Sequence, residues 1–312
     1  MDARKGVSSR MEHTPIPYPR GTAPRLGVVF PQIRFFGTQD DLRQFATETE
    51  SLGFDHILAY DHVIGASKAT RPDWRGPYSS EDPFVEPFAL FSFMTAVAPS
   101  LEYASGVIIL PQRQTTLVAK QAATVDFLTG GKLRLGVGIG WNQVEYESLN
   151  EDFRNRARRF EEQIDVIRHL TRDEVVDYTG KWHRIDHAGI LPLGIQRPVP
   201  IWIGGSAEPA VRRGARLADG FMVNGTTEAA QEPVFEILRD ELAKHERPWE
   251  TYGVDVRVDV GKGDADAWKR DFERVRIANV SHVTLVTIGT VFPEFSQHLE
   301  RMAEAKRIWD AM

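Results

Sequence analysis

A closed, eight-stranded parallel α/β barrel, the (β/α)8 architecture, is the fold class this sequence predicts, and three observations carry it. Short apolar runs alternate with longer stretches of helical period, eight times over, and such alternation implies parallel strands joined by helical crossovers. Eight units in about 290 residues match the size of this barrel. No composition break or linker divides the chain. An open doubly wound sheet is the alternative arrangement of the same units. The prolines at 15, 17 and 19 mark residues 1–24 as an extended N-terminal arm, leaving 25–312 as a single domain.

The first strand is Leu26 to Phe30, stopped by Pro31. A helix begins at Asp40, carries Leu42, Phe45, Ala46 and Leu52, and closes at Gly53. Ile57 to Tyr60 is the second strand, and Pro87 to Ala98 the second helix. Leu101 to Leu110 is the third strand.

The next stretch, Arg113 to Trp141, organises the chain: one helix feeding one strand. A hydroxyl from Thr115 or Thr116 can cap the helix start. Val118, Ala122, Val125 and Leu128 form an apolar stripe at spacings of four and three. Gly130-Gly131 ends the helix, since glycine takes the left-handed conformation without steric cost. In Lys132 to Val137, Leu133, Leu135 and Val137 face one side, and Arg134, Gly136 and Gly138 the other. Gly136, Gly138 and Gly140 then either form a tight turn or leave room for a ligand to approach the backbone. A dinucleotide fingerprint fits poorly, because Trp141 stands where its third glycine belongs.

Arg156 to Leu170 is a helix with Phe160, Ile164, Ile167 and Leu170 on one face. Strands at Ile201 to Ile203, Gly220 to Val223, Val254 to Val260 and His282 to Thr287 alternate with helices at Pro209 to Leu217, onward from strand six to Glu241, at Asp264 to Ala278, and at Pro293 to Met312. Two insertions interrupt the pattern. His62 to Asp82 follows strand two, where barrel loops form the catalytic face, and is a lid candidate. Thr171 to Pro200 contains a hairpin turning at Thr179-Gly180.

Composition excludes several classes. Of 312 residues, 42% are hydrophobic, enough for a full core; cysteine is absent, so disulfides and thiolate metal sites are impossible. A net charge of −6 argues against nucleic acid. No apolar run approaches the roughly 18 residues of a membrane helix, and the first residues lack the apolar segment of a secretory signal. A cytoplasmic protein acting on a small molecule, with homodimerisation open, is the expectation.

The segment AKQAATVDFLTGGKLRLGVGIGW resembles the luciferase-like monooxygenase superfamily, in particular its branch of oxidoreductases using the deazaflavin coenzyme F420. The resemblance implies site residues. Asp61-His62 matches a pair after strand two that contacts the cofactor and supplies a proton, with His62 catalytic and Asp61 on the cofactor. A non-prolyl cis peptide backing the middle of the ring is implied at Gly106-Val107; on its residues alone this spot reads as a bulge or a close approach. Gly204-Gly205-Ser206 precedes a helix, where backbone N–H groups make an anion site or a plain cap, and the resemblance implies the cofactor phosphate there. Ile139 and Gly140 join the cofactor set. Trp141 and Glu145 fall on the substrate side; Glu145 is either a second acid or base or a surface residue of a helix. Where the family's glucose-6-phosphate enzymes have a glutamate, this chain has Trp141, and their phosphate-holding lysine and threonine are replaced by Thr227 and Asn224, so that substrate is not carried over. His183 and His187, near Asp177 and Asp186, have no established metal-ligand spacing, and no metal is expected.

The function implied is F420-dependent hydride transfer to or from a small organic substrate, with His62 handling the proton. The alternatives are an FMN-dependent luciferase-like monooxygenase and a flavin-binding barrel without catalysis. Asp61 is expected to raise the His62 pKa if the side chains meet. Gly106→Val is expected to cost cofactor affinity more than folding, by filling the space beside the ring.

Overall fold

Eight parallel strands close on themselves in the computed structural model, which describes residues 23–35, 37–292 and 294–312. The expected arm therefore lies outside the described residues apart from 23 and 24, and so does Pro293. In chain order the strands are β1 (Arg25–Val29), β2 (His56–Ala59), β3 (Glu102–Ser105), β4 (Ile108–Ile109), β5 (Leu133–Gly138), β6 (Val176–Thr179), β7 (Arg184–Ala188), β8 (Ile201–Gly205), β9 (Gly220–Val223), β10 (Gly253–Asp259) and β11 (His282–Val286). The helices are α1 (Gln39–Ser51), α2 (Pro87–Thr95), α3 (Thr115–Leu128), α4 (Gln143–Ser148), α5 (Arg156–Arg172), α6 (Glu208–Leu217), α7 (Glu228–Lys244), α8 (Ala265–Ile277) and α9 (Ser296–Asp310).

β1 pairs with β2 on one side and β11 on the other, and the ring runs on through β3, β5, β8, β9 and β10. The third barrel strand is broken: β3 and β4 both pair with β5, and Gly106-Val107 separates them. The hairpin β6–β7 stands outside the barrel as a two-stranded sheet, turning where Gly180 N–H donates to His183 O at 2.8 Å.

Outward-facing Leu133, Leu135 and Val137 of β5 join the apolar layer between barrel and helices, with Phe160, Ile164, Ile167 and Leu170 of α5, as their spacing predicts. Leu128 departs from its predicted stripe and is half exposed, because α3 ends there. Gly130 and Gly131 take φ of 67° and 84°, the left-handed turn expected of them. The expected hydroxyl cap is absent. Gln114 is the N-cap of α3 without a side-chain bond, and Thr115 Oγ1 instead meets His183 Nε2 at 2.6 Å and accepts from Gln163 Nε2 at 3.0 Å, tying the hairpin to the barrel wall. α1 has a complete capping box, Thr38 with Asp41.

The barrel interior is layered. Its floor is polar: Arg134 is ion-paired with Glu102 and, at 2.8 Å, with Asp255; Asp255 accepts from Thr284 at 2.6 Å, and Thr284 Oγ1 meets His56 Nε2 at 2.8 Å. Burial, with nearby Arg134 and Arg25, pushes His56 well below the usual histidine range, so it is neutral. Trp202 lies across this floor with the Arg134 guanidinium 4.7 Å from its ring. Glycine makes room for it: a Cβ at Gly220 or Gly253 would stand 2.4 or 2.3 Å from the indole. Above lies an apolar septum of Val29, Leu58, Ala104, Met222 and Val286.

Candidate active site

The septum is the base of a cleft of ≈ 400 Å³ at the strands' C-terminal ends, within the size range of small-molecule sites. Asp61, His62, Gly106, Val107, Ile139, Gly140, Trp141, Gly204, Gly205 and Ser206, singled out from sequence, all line it. Glu145 does not, and lies behind His62.

The cleft wall comes from broken and glycine-rich strand ends. The Gly106–Val107 peptide is cis. Val107 is wedged between two neighbouring strands: a Cβ on Gly138 or on Gly204 would stand 2.6 Å from one of its methyls. Any larger residue there would push Val107 out of place and fill the wall. A Cβ on Gly106, by contrast, would point into the septum, 2.5 Å from a Leu58 methyl. The expectation that bulk at 106 fills the space beside a bound ring is therefore corrected; it would collide with the core.

His62 is held by a partner that its position in sequence did not reveal. Its Nδ1 lies 3.3 Å from Glu145 Oε2, while Asp61, the expected partner, accepts from Arg113 Nη2 at 2.8 Å and from Ile109 N–H at 3.1 Å. The expected Asp61 effect on His62 is thus corrected: the adjacent carboxylate is spoken for. Glu145 is buried on α4, not a surface residue of that helix. Burial alone would raise its carboxyl; hydrogen bonds from His62, from Val63 N–H at 2.5 Å and from Gln112 Nε2 at 3.1 Å outweigh this and hold it below the ordinary value. Ile64 N–H adds a longer contact at 3.3 Å.

An ionised carboxylate only accepts, so Nδ1 of His62 is the donor in this contact. Tyr78, Phe84 and Trp141 surround the ring edge-on at 4.8, 4.9 and 5.6 Å. Trp74 from the first insertion packs 5.7 Å from Trp141 and donates to Tyr78 O at 2.8 Å. The 62–82 insertion thus covers the His62 side of the cleft.

Arg257 is a residue that sequence reading missed. On β10 it points into the cleft, largely buried. Its Nη1 donates to Asn224 Oδ1 at 2.9 Å, its Nη2 lies 3.4 Å from the Gly106 carbonyl, and its guanidinium sits 5.1 Å from the Tyr60 ring. In the sequence it is one polar residue of an alternating strand, and nothing local marks it.

The segment Gly204-Gly205-Ser206 ends β8 and leads into α6, whose N-cap Ala207 offers no side-chain bond to the helix start. Gly204, Gly205 and Ser206 line the cleft together with Ala207 and Ala210. Away from the cleft, His183 and His187 diverge. His183 Nδ1 meets Glu162 at 2.9 Å, whereas His187 joins Asp177 and Asp186 in an exposed cluster.

Fold and cleft define the class: a (β/α)8 barrel with a C-terminal-face pocket holding a tethered histidine. The chain belongs to the luciferase-like monooxygenase family, whose model matches residues 22–311. An F420-dependent glucose-6-phosphate dehydrogenase of Nakamurella multipartita is 30% identical over 214 residues, 62% of this chain and 56% of that protein. An FMNH(2)-dependent dimethylsulfone monooxygenase of Pseudomonas fluorescens is 28% identical over 207 residues, 65% and 53%. The chain thus matches about half the length of these curated relatives. Among solved structures, an F420-dependent secondary alcohol dehydrogenase bound to an F420–acetone adduct superposes with a TM-score of 0.74 at 14% identity, covering 92% of this chain and 99% of that one; at that identity the likeness is one of fold. Among the described residues no helix is long and apolar enough to cross a membrane.

Proposed function

We propose that the protein is an oxidoreductase that uses coenzyme F420 to move a hydride between the deazaflavin and a small organic substrate, with His62 exchanging the accompanying proton. The observation that carries this reading is His62 itself: Nδ1 tethered to buried Glu145, Nε2 without a protein partner among the described residues, and the ring on the wall of a glycine-lined cleft. The residues fit a flat ring. Gly138 and Gly204 keep Val107 flush with the wall, and the Gly106–Val107 peptide offers backbone in place of a side chain. Ile139 and Gly140 would flank the ring, and Gly204-Gly205-Ser206 would take the phosphate at the start of α6.

When bound, the deazaflavin supplies or accepts the hydride. The chain's own part is positioning and proton handling. As the neutral Nδ1–H tautomer His62 accepts a proton at Nε2; Glu145 stabilises the imidazolium that results, and the reverse step returns the proton. Tyr78, Phe84 and Trp141 exclude water from the ring's surroundings. Asp61 keeps Arg113 and the Ile109 N–H in place, which supports β4 and so the peptide at 106–107.

The FMN-dependent relative and the family's description favour a second reading, a flavin monooxygenase in the same cleft. A noncatalytic flavin-binding barrel is a third, and the Glu145–His62 pair weighs against it. Parallel fluorescence titrations with oxidised F420 and FMN test the choice. Tighter F420 binding is expected; equal or tighter FMN binding moves the assignment to the monooxygenase, and no binding of either refutes both.

A further inference from the structure

Arg257 is a cation facing a cleft whose lining carboxylate, Asp61, is already ion-paired with Arg113. It is 8% exposed, yet among the described residues no carboxylate lies within ion-pair distance of it. The acidic groups near it are committed elsewhere. Asp255 below is bound to Arg134 and Thr284. Asp259, two residues on, accepts from the Gly261 N–H at 2.9 Å. Asp61 across the cleft is paired with Arg113, and Glu145 with His62.

Among the described residues the Arg257 guanidinium donates to neutral oxygens, Asn224 Oδ1 and the more distant Gly106 carbonyl. A guanidinium presents five donors in a fixed fork, so most of them remain for a ligand. Burying a charge is costly unless it is paired, and an uncompensated cation in a ligand cleft is a counter-charge waiting for the ligand's. The Tyr60 ring beneath and Asn224 beside it hold the fork in one orientation, and a planar fork matches a carboxylate in two-point contact.

We propose that the substrate of this cleft is a small organic carboxylate, its anionic end received by Arg257 and its reacting end directed toward His62. This rests on the cleft being the active site proposed above, and it adds the substrate's charge and the residue that selects it. The shared chemistry is an oxyanion. The rival source for it is the cofactor's own phosphate, and the experiment separates the two.

The probes are benzoate and its neutral isostere benzamide, titrated against the full-length protein by intrinsic tryptophan fluorescence and by thermal shift. Wild type, Arg257→Gln and Arg257→Lys are compared, each checked for fold by circular dichroism. F420 and FMN affinities are measured on the same three proteins. Benzoate should bind wild type at least 10-fold more tightly than benzamide. Arg257→Gln should erase that preference, and Arg257→Lys should retain part of it. The affinity for whichever cofactor binds should stay within about 2-fold in Arg257→Gln, since Gly204-Gly205-Ser206 is untouched. Equal binding of benzoate and benzamide to wild type, or an undiminished preference in Arg257→Gln, overturns the proposal. A loss of cofactor affinity in Arg257→Gln, in step with the loss of benzoate, also overturns it and gives the cation to the cofactor's phosphate. Because the benzoate arm needs no cofactor, it reads out even if neither F420 nor FMN binds, so failure of the cofactor assignment and failure of this one are told apart.

Discussion

Replacing Glu145 with glutamine changes one atom and four hydrogen bonds. The carboxylate accepts from His62 Nδ1, Val63 N–H, Ile64 N–H and Gln112 Nε2. A glutamine keeps one acceptor oxygen and turns an NH2 toward at least one of those donors. A hydrogen bond to a charged group is worth about 1.5–3 kcal/mol against about 1 for a neutral one, and an unsatisfied buried donor costs about 1–3. The relief of no longer burying a charge offsets part of this, leaving a net loss of about 2–3 kcal/mol, or roughly 3–5 °C in Tm for a chain of this size. The pH dependence has a definite sign. Glu145 is held below the ordinary 4.5 in the folded protein, so its contribution is fully present above 4.5 and disappears as pH falls through the folded value. Differential scanning calorimetry from pH 7 to pH 3.5 should therefore show a constant wild-type advantage down to about pH 5 that closes below 4.5. With a substrate in hand, Glu145→Gln should lower kcat on the order of 10²-fold at unchanged cofactor affinity, the range of general acid–base effects. A variant with wild-type Tm at pH 7, or a gap that persists unchanged into acid, would refute the tether.

Three further outcomes follow from the cleft and its surroundings. His62→Ala and His62→Asn should both bind cofactor within a few-fold of wild type yet turn over about 10²–10⁴-fold more slowly, measured by cofactor titration and steady-state kinetics; full activity in His62→Ala would remove this residue from the mechanism. Gly106→Val should destabilise by about 1–3 kcal/mol through overpacking against Leu58, read by urea unfolding, and a variant of native stability that fails to bind cofactor would show the collision is not with the core. His298, buried against Phe292 and Phe295, is pushed down to about 4 by burial; the unfolded chain then binds more protons between pH 6.5 and 4, so stability falls across that window, and His298→Gln should flatten the Tm–pH curve there.

Local signals made the scaffold legible. Strands such as Gly220–Val223 are apolar runs bounded by turn residues, and α5 carries its buried face at regular spacing. The cleft residues that glycine patterns or strand-end positions mark were legible too. What sequence reading missed was contact between distant elements. Glu145 reads as one acidic residue on a short amphipathic helix, and only the barrel's closure brings it to His62. Asp61 reads as the partner of its neighbour, but consecutive residues at a strand end point apart, and Arg113 from the start of α3 takes it. Arg257 and the polar floor around Arg134 sit at inward positions of strands, where alternation reports burial without saying what the interior is made of. Thr115 has the right residue type and position for a cap, yet tertiary contact with His183 claims its hydroxyl.

The Glu145 clamp acts on three consecutive positions: the ring of His62 and the backbone N–H groups of Val63 and Ile64. The covering insertion therefore starts from a fixed post. Residues from Ala66 to Asp82 make their turns among themselves, Ser80 N–H to Ala66 O and Ser79 with Asp82. The start of the loop and its outer turns are in this way held by different bonds, and they meet again where Tyr78 packs on the His62 ring. Changes in the outer part that keep Tyr78 on the ring leave the Glu145 contacts of His62, Val63 and Ile64 untouched. A barrel wired like this can vary the cover of its cleft without loosening the histidine beneath it.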